Sequence, residues 1–378
     1  MAKNVIFCAD GTWNSPNQDE NADQSADPTN VYKLFLWLAG TDSPHSLRCA
    51  DEQERQLHDG AQLTQIAKYL HGVGDSRNPV VKILGGAFGA GVIARIVRGY
   101  TFVSRNYEPG DHIHIVGFSR GAYTARALAG LIGSQGLLGK HIDDPQEAYR
   151  CGAEAWYRYR KATLKSGASL DHLSEIAADL PAFFRSGSLA DSDLVAVDSI
   201  RSVAVWDTVG ALGFPAYAAN GERIDAYKFA DTVLSAKVQL GVHAIARDEQ
   251  RVDFTPTLWN AGANVTQLIF PGAHGDVGGG YPMSNGESGL SDGALQWLVD
   301  RLRAAGVLFA ASSDYPVTPR ADATAHQPWI HQPWSLIPDL RLRRRTFPAG
   351  LQEDASVVAR KAAGPVRADP SVKPAPYA

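Results

Sequence analysis

Cysteine is scarce in this chain, with three in 378 residues: Cys8, Cys49 and Cys151. They lie far apart and show no C-x-x-C spacing, which argues against a disulfide framework and against a thiolate metal site. No window approaches the roughly 18 apolar residues of a membrane span. The opening "MAKNVIFCADGTWN" has one lysine, then an apolar stretch too short for a signal sequence. Excess charge is lacking too: the formal net charge is −4, so electrostatics give no reason to expect nucleic acid as a partner. The basic run "RLRRR" at 341–345 reads as a local, solvated face. There is no internal repeat. "GVG" (72–74) and "GGAFGAG" (85–91) lack the Walker lysine and the G-x-G-x-x-G arrangement of a phosphate cradle, and read as turns and close helix packing. What remains is a protein expected to be soluble and cytoplasmic by default, with export that needs no cleaved signal left open. No cofactor or metal is expected.

What is present is an alternation of elements. "NVIFCAD" (4–10) reads as a buried strand running into a polar loop over 14–30. "TNVYKLFLWLAG" (29–40) has helical spacing, with Val31, Leu34, Phe35 and Leu38 on one face. A second strand is read at 65–74, a helix at 84–107, and a third strand at "DHIHIVGF" (111–118). A helix rich in small residues follows at 120–133. Residues 135–198 read as a helical insertion. "SIRSVAVWDTVG" (199–210) returns to strand, 231–250 reads as helix, and "VTQLIFPGAHGDVGGGYP" (265–282) reads as a strand ending in a Gly-rich loop. An amphipathic helix at 288–306 closes a catalytic domain spanning 1–310, and 311–378 reads as a Pro- and Arg-rich extension. Strands alternating with helices predict an α/β fold, α/β-hydrolase-like: a mainly parallel sheet with helices on both faces. In such sheets ligands bind beyond the carboxyl ends of the strands. Asp10–Asn14, Ser119, Asp207 and His274–Gly280 are all expected there.

"GFSRG" (117–121) fits G-x-S-x-G. A nucleophile elbow needs small residues two before and two after the serine, because strand and helix approach closely; Gly117 and Gly121 meet that need. A serine hydroxyl becomes a nucleophile when an imidazole takes its proton and a carboxylate orients the imidazole. The partners follow in the order acid, then histidine. Asp207 closes "SVAVWD", and His274 follows "QLIFPGA". Ser119 could otherwise simply cap its helix. Asp276 is a rival acid, but its place two residues from His274 suits bracing the loop. His112 and His114 read as edge or packed residues, His243 as helical, and His326 and His331 lie in a Pro-rich stretch. An oxyanion needs at least two preorganised donors. The Arg120 amide is one candidate, and Gly11 or Thr12 the other, with Asp10 organising their loop.

Together these residues bring a family into view. "ADGTWN", "YLHGVG", "GGAFGAG", "GFSRGAYTARALAGLIG", "VAVWDTVG", "HAIARDEQRVDFTPTLW" and "PGAHGDVGGGYP" resemble the bacterial and fungal α/β hydrolase-type domains that include class-one phospholipase effectors of the type VI secretion system. The resemblance spans roughly 3–306, with "DASVVAR" near the end as a further matching element. It implies a serine hydrolase with a Ser–Asp–His triad, and in the effector members a phospholipid ester as substrate. The chain lacks the large extra membrane-docking regions those proteins often carry.

The expectation is a carboxylic ester hydrolase acting on an ester or lipid substrate, with transient contact to a membrane surface. Trp156, Tyr157, Tyr159, Leu180, Phe183 and Phe184 either form an apolar lid or pack the insertion's own core. Two alternatives stand beside it. One is a non-catalytic binding module on a hydrolase fold. The other is a haloacid-dehalogenase-type phosphatase, read from "FCADGT", in which Cys8 occupies the position of the nucleophilic Asp.

Overall fold

In strand β1 (Asn4–Ala9), Val5, Phe7 and Ala9 enter one apolar cluster and Ile6 and Cys8 another. Successive side chains leave a strand on opposite faces, so both faces of this sheet must be covered. The computed structural model describes residues 2–11, 26–43, 52–72, 88–163, 189–210, 216–217, 223–224, 233–337 and 340–378. The other strands of the main sheet are β2 (Thr41–Asp42), β3 (Glu52–Asp59), β4 (Gln62–Leu70), β5 (His112–Phe118), β6 (Ser202–Trp206), β7 (Gly241–Ala246), β8 (Val265–Phe270) and β9 (Gln352–Glu353). Their order is β9-β8-β7-β6-β5-β1-β4-β3-β2. Every neighbouring pair from β9 to β4 is parallel, while β3 is antiparallel to β4 and β2 to β3.

One face carries α2 (Phe88–Asn106), α3 (Ser119–Gln135) and α4 (Pro145–Thr163). Ile96, Val97, Leu128, Leu131 and Trp156 from these helices pack against Val5, Phe7 and Ile115. The opposite face carries α1 (Asn30–Trp37) and α6 (Gly289–Ala304), whose Leu34, Phe35, Leu295 and Leu298 cover Ile6, Phe118 and Trp206. A buried ion pair, Lys33 Nζ to Asp292 Oδ1 at 3.0 Å, ties α1 to α6. Asn30 Nδ2 donates to Val277 O at 2.9 Å and Ser291 O at 2.8 Å, which couples α1 to the short helix α5 (His274–Gly278) as well as to α6. The fold is thus the expected mostly parallel sheet flanked by helices.

Two local expectations are corrected, and one strand is added. The helix read at 231–250 is not found over its described residues, 233–250: 241–246 form the buried strand β7, and His243 lies within it. "EQERQLHD" forms β3, the antiparallel partner of β4, where no strand was expected. Its charges sit where natural sheets tolerate them, near an edge. The run 341–345 is not uniformly solvated either, since the Arg345 side chain is only 5% exposed. Within α4, Trp156 and Tyr159 belong to the main core, whereas Leu180, Phe183 and Phe184 lie outside the described residues. The segment after 310 contributes β9, which pairs Gln352 and Glu353 with Leu268 and Ile269, and helix α7 (Ala355–Ala362).

Candidate active site

Ser119 follows β5 directly and opens α3 with a φ of 57°. That left-handed backbone costs a non-glycine residue roughly 1–3 kcal/mol and persists only where its surroundings enforce it. Here the enforcement is steric. A Cβ on Gly117 would sit 2.4 Å from Gly121 O, and one on Gly121 would sit 2.1 Å from Ala9 O and 2.5 Å from Asp10 O. Strand β5, strand β1 and helix α3 therefore meet at van der Waals limits, and only glycine fits at both positions. Arg120 supplies one of the first-turn amides of α3, which no preceding helical carbonyl can satisfy. Its side chain is buried, and burial pulls the guanidinium down to about 9.

Asp207 leaves the end of β6, where Trp206 pairs in register with Phe118 of β5. It too has a positive φ, 34°. His274 opens α5 after the turn that follows β8. The ends of three parallel strands, β5, β6 and β8, with β7 lying between the last two, thus deliver the serine and the two residues to one edge of the sheet. His274 Nδ1 hydrogen-bonds Asp207 Oδ2 at 2.6 Å. The imidazole lies against the Phe118 ring, centroids 4.6 Å apart, and takes the edge of Phe254 at 4.9 Å. Its Nε2 is buried and has no hydrogen-bond partner among the described residues. A Ser119–Nε2 hydrogen bond is therefore not made in this state.

Asp207 is fully buried, which by itself would favour its neutral form. The Arg345 charge and the His274 hydrogen bond outweigh burial and hold the carboxyl well below the usual carboxylate range. Arg345 grips both oxygens, Nη1 to Oδ1 at 2.7 Å and Nη2 to Oδ2 at 2.9 Å, while the Ala246 amide donates to Oδ1 at 3.0 Å. Burial lowers the His274 pKa, opposed by Asp207 and Glu249. Glu249 is buried beside it, accepting the His274 amide at 3.3 Å and the Arg251 Nη2 at 2.7 Å. Burial would push Glu249 up, but Arg251 holds it at about 2. Arg345 and Glu249 were not anticipated as site residues. Arg345 is far from the triad in sequence, and no local pattern marks it.

Asp10 lies at the end of β1 and knots three elements together. Its oxygens accept from the Gly11 amide at 2.7 Å, Tyr69 Oη at 2.6 Å and Thr29 Oγ1 at 2.8 Å. Burial pushes its carboxyl up to about 6, against the pull of these hydrogen bonds. The Gly11 amide is thereby engaged by Asp10, and Thr12 lies outside the described residues. Asp276 Oδ2 accepts the Ala273 amide at 2.8 Å and the His326 amide at 3.0 Å, and its Oδ1 meets His326 Nδ1 at 2.7 Å. His326 in turn reaches Glu287 at 3.1 Å and stacks on Tyr281 at 3.5 Å. The remaining histidines differ in burial. His114 and His243 are buried, with burial lowering both to about 3, whereas His112 is exposed. Cys8 is buried in the apolar core, and burial raises its thiol pKa, so it presents no nucleophile beside Asp10. Among the described residues no cluster of histidine, cysteine and carboxylate side chains could hold a metal ion.

Comparison with known proteins shows the family of the chain. The chain is 30% identical over 172 residues to an uncharacterized protein of Saccharomyces cerevisiae, covering 42% of this chain and 20% of that one. Its fold is similar to an uncharacterized protein from Pseudomonas aeruginosa, with a TM-score of 0.44 and 17% identity, covering 82% of this chain and 46% of that one. It is also similar to the Tle1 effector bound to the VgrG spike from the type 6 secretion system, with a TM-score of 0.37 and 19% identity, covering 75% of this chain and 52% of the effector. The chain thus spans about half of those structures and a fifth of the yeast protein. Residues 3–301 match the family described as "T6SS, Phospholipase effector Tle1-like, catalytic domain". With nearly four-fifths of its length inside that match, the chain belongs to the Tle1-like phospholipase effector catalytic domains, a family of lipase-type hydrolases.

Proposed function

We propose that the chain hydrolyses carboxylic esters of lipids, phospholipids foremost, through a Ser119 acyl-enzyme. The observation that carries this is the 2.6 Å bond between His274 Nδ1 and Asp207 at the strand ends beside a left-handed Ser119. It leaves Nε2 as the basic nitrogen of the ring. A change of the Ser119 rotamer on substrate binding brings Oγ to that nitrogen; catalytic hydrogen bonds often tighten only in the substrate complex. Oγ attacks the ester carbonyl while Nε2 takes its proton, and the imidazolium that forms is stabilised by Asp207. The oxyanion faces the Arg120 amide at the positive end of α3. Collapse expels the alcohol with the proton from His274. Water, losing a proton to His274, then releases the carboxylic acid and restores Ser119.

Membership in an effector family extends the proposal to export and to work at a lipid surface. No described helix is long and apolar enough to cross a membrane, so a transient surface contact suits this reading. The test is turnover of a nitrophenyl ester series and of phospholipid vesicles by wild type and Ser119→Ala. Loss of turnover in the variant with unchanged folding supports the reading. Wild type inert toward every ester would instead favour a binding module that keeps the hydrolase fold.

A further inference from the structure

We infer that Arg345 is a positioning residue of the candidate active site: it fixes the Asp207 carboxylate and sets the pH at which His274 becomes a free base. This rests on the triad reading above, and it adds a part of the machinery that lies outside the family match at 3–301.

The geometry is that of a clamp. Both Nη atoms of Arg345 reach the two oxygens of Asp207, a planar fork that lysine cannot reproduce. The same nitrogens donate to the carbonyls of Ala246 and Phe254, so the guanidinium is anchored to the end of β7 and to the segment carrying Phe254, whose ring touches His274. The strand-like stretch that delivers Arg345 is itself pinned. Arg343 donates to Gln250 O at 2.7 Å, Val252 to Arg341 O at 3.0 Å, and Leu342 bridges Arg251.

The charges around the imidazole follow a plan. Asp207 faces His274 from β6 and is matched by Arg345. Glu249 faces it from beyond β7 and is matched by Arg251. Behind Asp207 lies His243, with Arg126 near it; burial and Arg126 keep that ring neutral. The two carboxylates that act on the His274 ring, Asp207 and Glu249, are therefore each paired with an arginine. An Asp207 without its arginine would favour the protonated His274 more strongly and keep the proton on it to higher pH. His274 Nδ1 and Arg345 Nη2 share the oxygen Oδ2, at 2.6 and 2.9 Å, so the cation lies within the roughly 6 Å range over which a unit charge moves a pKa by about one to three units. Removing it should raise the His274 titration midpoint.

The test uses the full chain as Arg345→Met and Arg345→Lys, with folding checked by circular dichroism. Two readouts are followed: the acid limb of kcat/KM against pH, and the His274 ring titration by nitrogen-15 NMR, assigned with His274→Gln. For Arg345→Met, both should move up by about one pH unit or more. For Arg345→Lys, which keeps the charge but not the fork, the midpoint should stay near wild type while kcat falls roughly tenfold at unchanged KM. The NMR titration requires no turnover, so it reads Arg345 even if esters are not hydrolysed; inactivity of wild type would count against the triad alone. A folded Arg345→Met with an unshifted His274 midpoint overturns the inference. If Arg345→Met does not fold, Arg345→Lys decides it: a midpoint displaced by a unit, or an unchanged kcat, overturns it as well.

Discussion

Replacing Gly121 by alanine tests whether the elbow is built by backbone contact. The new methyl carbon would lie 2.1 Å from Ala9 O, 2.7 Å from Ala9 C and 2.5 Å from Asp10 O. Ordinary carbon–oxygen contact is about 3.3 Å or more, so α3 must withdraw from the end of β1 by roughly 1 Å. Neither neighbour is the free end of a side chain; both are main-chain atoms of a buried central strand. Overpacking costs typically about 1–3 kcal/mol, and this site belongs at the upper end. A shift of about 1 Å at Ser119 and the Arg120 amide should also cost roughly a hundredfold in kcat/KM. Gly293→Ala is the internal control. It lies within α6, and a Cβ there meets nothing within 4 Å. It should stabilise by about 0.4–1 kcal/mol with activity unchanged. Denaturant unfolding and ester turnover on the two variants decide the matter. Gly121→Ala as stable and active as wild type would refute the steric account of the elbow.

Three further outcomes follow from the electrostatics. Asp207→Asn should lower kcat by about 10⁴-fold, as the His274 tautomer loses its anchor, and should destabilise by about 3 kcal/mol or more, because Arg345 is left buried without a counter-charge; steady-state kinetics and thermal melts check both. Burial lowers the His274 pKa, so the base stays neutral to more acid pH than free imidazole; the acid limb of kcat/KM should therefore lie below about 6.5, and a limb above pH 7 contradicts this. For His326, burial opposes the charge, but Asp276 and Glu287 outweigh it and raise the pKa. A raised folded pKa stabilises fully below the unfolded value of about 6.5 and loses that contribution as pH rises through the folded value. The stability gap between wild type and His326→Gln should thus narrow from pH 6 to pH 9, measured by denaturant titration; a gap independent of pH would remove the charged pairing.

The parallel sheet was legible because each central strand is a short apolar run bounded by Gly or Asp, and because Ser119, Asp207 and His274 all end such runs. The strand at 241–246 was not. "GVHAIA" is buried along its whole length and shows no alternation, while Val233, Leu234 and Val238 before it imitate helical spacing. The β3 strand hid behind charge, since an edge hairpin needs no apolar face. Arg345 hid behind distance: its partner Asp207 is 138 residues away, and no local pattern encodes a contact of that range. His326 hid for the same reason, 50 residues from Asp276. What local sequence could reveal was the strand-end chemistry; the C-terminal residues that brace it became visible only in three dimensions.

The central claim is that Ser119 is a nucleophile activated by His274. The most direct measurement is labelling of the native protein by a fluorophosphonate probe, with the modified residue located by mass spectrometry. The account predicts a single adduct on Ser119, formed by wild type, lost in Ser119→Ala and slowed at least a hundredfold in His274→Gln. A wild type that stays unlabelled while properly folded, or an adduct that forms equally fast without His274, would contradict it.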